Sequence, residues 1–231
     1  MLRLLGFFVV VLLVLRVARH LPLVGGLFQI PLIGFWLAAI LVSVVGSKLA
    51  GNWVDRRKEK AFERQLGEVD TPHNLGKLGS LLLSQRRPAR ALGYLGRAIS
   101  GEPEVAEWRY RAGCALLSLR RFEEAIDTLQ TCLGINEGHA YGQVLLRLAE
   151  AHQGNREPEL ALEALKRHDV NHGANPESAY RHGLAFKALG RGEEARAAWA
   201  SVTELVQQAP SYQRRAAWPW IARAGLARLR P

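Results

Sequence analysis

One stretch of fourteen residues recurs along this chain at a nearly fixed interval. Residues 79–92 read GSLLLSQRRPARAL and residues 113–126 read GCALLSLRRFEEAI. Two weaker copies follow at residues 149–162 and 183–196, so the intervals are 34, 36 and 34 residues. A period of this length predicts a solenoid, because a single amphipathic hairpin cannot bury its apolar face and its neighbours must stack on it.

Two small residues recur twelve positions apart in every copy. The pairs are Gly79 with Ala91, Gly113 with Ala125, Ala149 with Ala161, and Gly183 with Ala195. The larger apolar residues around them recur at intervals of three and four, which is typical of helices. We therefore expect each copy to form two antiparallel helices that approach closely at the small residues, on either side of a short turn.

The motifs of the first two copies resemble those of tetratricopeptide (TPR) repeats. The residues that carry the resemblance are Gly79, Ala91, Ala98, Pro103, Gly113, Phe122, Ala125 and Cys132. The third and fourth copies depart from the pattern, since His168 and Val202 stand where a small residue is usual. The resemblance implies an all-α, right-handed TPR-like superhelix of about four helical hairpins over residues 71–210, with a concave groove.

The first fifty residues are largely apolar and contain no acidic side chain. Residues 2–20 and 31–50 are each long enough to cross a bilayer core. Pro22, Gly25, Gly26 and Pro31 lie between or at the start of these segments and break a helix. We therefore predict that residues 1–50 form a membrane anchor, a transmembrane helical hairpin ahead of the repeats.

Two other interpretations of this segment stay open. Residues 31–50 alone could span the bilayer while the first apolar segment lies in the interface, or the segment could be a signal peptide. The signal peptide is disfavoured because no small-x-small cleavage site follows the apolar run.

Basic residues are more numerous after the second predicted span than between the two spans. Six follow it, Lys48, Arg56, Arg57, Lys58, Lys60 and Arg64, against Arg16 and Arg19 in the loop. This bias predicts that the repeats are cytoplasmic. The short, compact anchor favours the inner membrane of a bacterium. Residues 51–70 are predicted to be a charged juxtamembrane helix, either a solvated connector or a contact with anionic lipid.

A basic residue stands two positions before the first small residue of every copy. These residues are Lys77, Arg111, Arg147 and Arg181. The TPR resemblance implies that this part of each first helix lines the groove. Since arginine binds carboxylates in a bidentate manner, one hypothesis is a groove for acidic or carboxylate-ended peptides. The alternative is a solvated helix face that pairs with Glu107, Glu150 and Glu177.

Other side chains are candidates for the same groove. They are Ser80, Tyr110, Cys114, Leu117, Tyr180 and Lys187, of which the two tyrosines are candidate aromatic anchors. The Lys and two Asn of the family's carboxylate-clamp variety are not reproduced. The corresponding places are occupied by Gly76, Ser80 and Arg111, or, one repeat later, by Tyr110 and Cys114.

The sequence offers little that indicates catalysis, a metal or a cofactor. Cys114 and Cys132 fit reduced, core-sized residues better than a disulfide framework. His168 and His172 have a metal-ligand spacing, but they lie where a helix runs into a turn, without a convincing third ligand. The net charge of +10 suits nucleic acid, anionic lipid or acidic peptides. No catalytic or nucleic-acid-binding signature accompanies it.

The tail, residues 211–231, is predicted to be a capping helix, and Pro219 within it suits the start of a helix. Its expected apolar face comprises Trp218, Trp220, Ile221 and Leu226. The alternative is a basic amphipathic helix on a membrane, because the tail is rich in arginine.

Together these features predict a non-enzymatic, membrane-anchored scaffold or assembly factor. Its partners would be a protein or peptide, acidic segments included, and the lipid bilayer through residues 1–50. No cofactor, metal or nucleic acid is expected. The alternative is a self-assembling structural array at the membrane, and an enzyme or a nucleic-acid binder is less well supported.

Overall fold

The computed structural model describes residues 71–229 and, ahead of them, seven single helical residues: Ser43, Gly46, Ser47, Trp53, Arg57, Lys60 and Ala61. The first predicted span lies outside the described residues, as do all but three residues of the second span and all but four residues of the predicted connector. Among those that are described, no helix is both long and apolar enough to cross a membrane. The chain divides into two units, residues 1–61 and 62–231. In the first unit the guanidinium of Arg57 lies 3.6 Å from the centre of the Trp53 ring.

Nine α-helices and one short 3-10 helix account for the regular structure between residues 71 and 229, and no strand occurs there. The helices are α1 (Pro72–Ser84), α2 (Pro88–Gly101), α3 (Ala106–Ser118), α4 (Phe122–Ile135), α5 (Gln143–Gly154), α6 (Pro158–His172), α7 (Pro176–Ala188), α8 (Gly192–Gln208) and α9 (Ser211–Arg228). The 3-10 helix, His139–Gly142, precedes α5. The prediction of an all-α fold is confirmed.

The first eight helices form four antiparallel hairpins, each of which packs on the next. The predicted TPR-like superhelix is therefore confirmed for the repeats. The 36-residue interval has a structural cause at the junction of the second and third hairpins. There Ala140 and Tyr141 adopt left-handed conformations, with φ of 53° and 50°, and the extra residues form the 3-10 turn.

The repeated small residues lie where the two helices of a hairpin are closest. A Cβ atom added at Gly79 would lie 2.6 Å from Cγ of Leu95, and one at Gly113 would lie 2.6 Å from Cγ of Leu129. At Gly183 an added Cβ would overlap the indole of Trp199. The predicted close approach is confirmed, and it explains why a side chain larger than a hydrogen does not fit at these positions.

The turn inside every hairpin has the same geometry. Its central residue has a positive φ of 59° at Arg86, 60° at Arg120, 63° at Arg156 and 74° at Gly190. The following amide donates to a carbonyl five residues back, as from Arg87 to Leu82 at 2.9 Å. This is the Schellman geometry that ends helices, and it usually employs glycine because other L-residues are strained there.

Helix α9 packs on α7 and α8 and closes the C-terminal end of the array. It spans Ser211–Arg228, within the predicted tail helix, and Pro219 does not start it although proline suits a first helical turn. Pro219 lies inside the helix on an exposed side, where water can satisfy the carbonyl that loses its backbone donor. The predicted apolar face is wrong in part. Trp220 and Ile221 pack on the core, whereas Trp218 is 66% exposed.

Candidate functional site

The first helices of the hairpins, α1, α3, α5 and α7, contact one another in succession, and α9 contacts α7. Their side chains that do not pack into the hairpins form one continuous surface, which we call the groove surface. All ten predicted groove residues lie on these first helices, and two of them, Lys77 and Ser80, belong to α1. The Ser80 hydroxyl donates to the Gly76 carbonyl of its own helix at 2.9 Å. Lys77 is exposed and forms no ion pair with any residue that the structure describes.

Arg111 is paired within its own helix. Its Nε donates to Oε1 of Glu107 at 2.6 Å, and the other oxygen of Glu107 lies 2.9 Å from Nε2 of His139. The His139 ring in turn packs edge-on against Tyr110, with 5.7 Å between ring centres. The carboxylate of Glu107 therefore binds a groove arginine with one oxygen and contacts His139, at the junction between two repeats, with the other.

Arg147 and Arg181 are joined by Glu150 and Glu177 in a closed, alternating set of ion pairs, which we call the arginine–glutamate ring. Arg147 donates to Glu150 at 2.6 Å and also to Glu177. Arg181 donates to Glu150 at 2.7 Å and to Glu177 at 2.9 Å. Two members lie on α5 and two on α7, so the ring links two successive repeats and has no net charge.

The ring holds Arg147 in the charged form. Burial opposes the charge of Arg147, but Glu177 and Glu150 outweigh it and raise its pKa. Arg181 is only 6% exposed. Three of the four residues in the predicted basic column thus have carboxylate partners on their own wall, and these are the acids that the sequence analysis named as alternatives.

Tyr110 and Cys114 lie together beside this ring. Burial raises the pKa of Tyr110 to about 12 and raises that of the Cys114 thiol above its usual value. Cys132 is fully buried, donates to the Ala106 carbonyl at 3.3 Å, and has a pKa raised by burial to about 11. Both cysteines are free thiols, as predicted, and burial keeps them in the unreactive thiol form.

A pocket of about 330 Å³ opens between α7 and α9 at the C-terminal end of the groove surface. It is lined by Tyr180, Leu184, Lys187, Trp199, Arg223, Leu226 and Ala227. Aromatic contacts fix one wall, because the Tyr180 and Trp220 rings are 5.6 Å apart and Trp199 Nε1 donates to the Tyr180 carbonyl at 3.2 Å. The part of the lining that the structure describes contains two cations and no carboxylate.

Tyr180 and Lys187 are predicted groove residues, whereas Arg223 and Leu226 are not among the predicted ones. Those two residues lie in the tail, which was interpreted only as a cap or a membrane helix. The signal that could have found them is geometric. A capping helix occupies the place of a fifth first helix, so part of its surface continues the groove.

A buried histidine cluster lies between α6 and α7, away from the pocket. His168 is 1% exposed, and its Nδ1 lies 2.9 Å from Asp169, whose other oxygen lies 3.0 Å from Nε2 of His182. Burial opposes ionisation of Asp169, but the hydrogen bonds from His168 and His182 outweigh it and hold the pKa of Asp169 below its usual range. Across the described residues no group of three His, Cys, Asp or Glu could hold a metal ion.

Comparison with known proteins agrees with this geometry. Residues 77–140 match the tetratricopeptide repeat family model. MamA from Desulfovibrio magneticus RS-1 superposes with a TM-score of 0.63 at 17% identity, over 75% of this chain and 97% of that one. The chain has the TPR fold. TPR proteins bind protein or peptide partners and are in general non-enzymatic interaction modules.

Two other TPR structures are similar to the same part of the chain. A thermophilic TPR protein of Thermus thermophilus gives a TM-score of 0.57 at 20% identity, over 79% of this chain and 96% of that one. YrrB, a TPR protein with an unusual peptide-binding site, gives 0.54 at 22% identity, over 74% and 94%. A comparison with curated proteins finds no significant match.

Proposed function

We propose that this chain is a membrane-anchored TPR scaffold or assembly factor that holds a segment of a partner protein on the groove surface. The observation that carries the proposal is the pocket between α7 and α9. It combines an apolar floor, aromatic walls and two cations at the end of a continuous surface. A pocket of this kind accepts an apolar side chain and orients it by a nearby charged group.

The charge distribution favours acidic segments at this end of the groove rather than along its whole length. The arginine–glutamate ring is neutral and Arg111 is paired, so neither offers a strong site for a carboxylate. Arg223, whose guanidinium lies 4.5 Å from the centre of the Trp220 ring, lines a pocket whose described residues include no acid. We therefore place the preference for an acidic or carboxylate-ended peptide there. The peptide-binding site in the name of the similar YrrB supports a peptide as the partner.

The anchor completes the proposal. Residues 1–50 would hold the repeats at the inner membrane of a bacterium, on the cytoplasmic side, as the lysine and arginine bias predicts. Tethering raises the local concentration of the groove for any membrane partner without new contacts. This explains why a scaffold with a modest pocket could still engage its partner.

Site-specific photo-crosslinking in the full chain, expressed in its own host, tests the groove. A photo-reactive residue replaces Leu226, in the pocket, or Lys77, at the opposite end of the groove surface. The matched control replaces Val170 of α6, which is 84% exposed and lies outside the pocket lining. We expect the photo-reactive residue at either groove position to capture the same partner protein. At position 170 it should not capture that protein.

A second arm tests the charge preference. Lys187→Gln combined with Arg223→Gln should reduce capture at position 226, because both changes remove a cation from the pocket lining. Equal capture from Val170, or no capture from either groove position, would show that the groove is not the binding surface. If the partner is still captured after the double change, the groove remains the binding surface and only the preference for acidic segments is refuted.

A further inference from the structure

Helix α9 has a second apolar face that nothing in the described structure covers. Trp218, Ala222, Gly225 and Leu229 recur at intervals of four, three and four, so they lie on one side of the helix. All four are exposed, Trp218 to 66% and Leu229 to 79%. The opposite side packs into the core through Trp220, Ile221, Ala224 and Ala227.

The role of α9 as a cap on the array explains only why the side that packs into the core is apolar. A terminal helix in a solenoid usually presents a polar outer face, because that face has no further repeat to cover it. Large apolar side chains such as Trp218 and Leu229 in water indicate a contact that these repeats do not supply.

The charge around this face is of one sign. Residues 205–231 contain five arginines and no acidic residue. Four of the arginines lie within the described helix and are exposed: Arg214, Arg215, Arg223 and Arg228. Arg214 and Arg215 lie one turn before Trp218. Tryptophan and leucine bordered by arginine is the arrangement of helices that lie in the headgroup region of an anionic membrane.

A second copy of the chain fits this face less well than lipid does. A two-fold symmetric contact places the same patch against itself. It would bring the arginines of one α9 close to those of the other without any acidic residue from the tail to compensate. Lipid phosphates provide the opposite charge and the headgroup boundary accepts the exposed tryptophan.

We propose that α9 binds an anionic lipid surface through Trp218 and Leu229, with its arginines on the phosphates. The contact would give the repeats a lipid attachment at their C-terminal end. It depends neither on a protein partner nor on the predicted anchor at residues 1–50. The packed face keeps α9 in the array while the exposed face meets the lipid, so capping and lipid binding do not compete.

An environment-sensitive dye on Leu229→Cys in the full chain tests this. Cys114→Ala removes the partly exposed native thiol, and Cys132 is buried and escapes labelling. The matched control carries the dye on Val170→Cys, whose native side chain is similarly exposed. Both proteins are reconstituted in phosphatidylcholine vesicles with or without about one-third phosphatidylglycerol. Because the anchor would insert into both membranes, the difference between them reports on α9.

We expect the emission at position 229 to shift to the blue only with the anionic lipid and to return at high salt, while position 170 stays unchanged. Arg215→Gln with Arg228→Gln should lower the ratio of docked to free helix roughly tenfold. A dye at position 229 that stays in water on anionic vesicles would overturn the proposal. A shift that follows protein density instead of anionic lipid would show that a second copy covers the face.

Discussion

The guanidinium of Arg181 in α7 donates to the carboxylate of Glu150 in α5 at 2.7 Å, across the junction of two successive repeats. The same guanidinium also binds Glu177 of its own helix. Arg147 meets the same two carboxylates, which closes the ring. A basic residue at this repeat position therefore joins neighbouring hairpins in the third and fourth repeats, whatever else the groove surface binds.

Arg181→Met should destabilise the repeats, because it leaves Glu150 and Glu177 with fewer cations in a partly buried site. We expect a loss of about 2–3 kcal/mol in the free energy of unfolding. Urea unfolding of the full chain measures it. A double-mutant cycle with Glu150→Gln should show that the two changes are not additive.

The control for this prediction is an exposed pair on the same array. Arg196 and Glu193 lie 3.1 Å apart on α8 with 63% and 85% of their side chains exposed. Arg196→Met should leave the urea midpoint unchanged, since such pairs contribute little. An Arg181→Met protein as stable as the Arg196→Met protein would show that the ring does not join the repeats.

Gly183→Ala should destabilise the fourth hairpin, because the new Cβ overlaps the indole of Trp199. The indole cannot easily retreat, since its Nε1 is held by the Tyr180 carbonyl. We expect a loss of about 1–3 kcal/mol, measured as a lower midpoint of chemical unfolding.

Gly93→Ala should have the opposite effect on stability from Gly183→Ala. Gly93 lies in α2 on an exposed face, and an added Cβ there meets nothing within 4 Å. Alanine should therefore raise stability by about 0.5–1 kcal/mol. If both substitutions changed stability in the same direction, the close approach of α7 and α8 would not be what excludes a larger residue at position 183.

Repeat periodicity was sufficient to predict the hairpins, because a close helix approach requires small residues such as Gly113 and Ala125 at a fixed spacing. It was also sufficient to name Glu150 and Glu177 as alternative partners, since both lie within one turn of an arginine. The pairing of Arg181 with Glu150 depends on how two repeats pack, which a local pattern does not encode. The place of Pro219 inside α9 could not be predicted from its residue type, because proline favours a first helical turn, whereas an exposed proline can also lie within a helix.

Arg86→Gly should stabilise the protein, because Arg86 adopts a left-handed conformation with φ of 59° in the turn of the first hairpin. Glycine adopts this conformation without steric cost, and only part of that gain is offset by the flexibility of glycine in the unfolded chain. We expect a gain of about 0.5–1 kcal/mol in urea unfolding.

Gly190, which holds the equivalent place in the fourth hairpin with φ of 74°, supplies the reciprocal test. Gly190→Ala should lower stability by about 1 kcal/mol. Opposite shifts at positions 86 and 190 would establish that backbone strain, rather than a side-chain contact, distinguishes the turns. A loss on Arg86→Gly would contradict this account.

Asp169→Asn should change how the stability of the repeats depends on acid. The pKa of Asp169 is held below its usual range by His168 and His182, while the unfolded chain has an ordinary value of about 3.9. The folded state therefore binds the Asp169 proton less readily than the unfolded state. The stabilisation is fully present above about pH 4 and is lost as the pH falls further, towards the folded pKa.

Urea unfolding of the full chain between pH 7 and about pH 3 should show this as a steeper loss of stability in the native chain than in Asp169→Asn. At neutral pH the substitution itself should cost about 1–3 kcal/mol, because the buried imidazole of His168 and the partly buried one of His182 lose a charged acceptor. Asp127→Asn, at an exposed position of α4, is the control and should keep the native acid dependence. Parallel curves for the native chain and Asp169→Asn would mean that Asp169 titrates alike in the folded and unfolded states, and that the histidine cluster is held by packing alone.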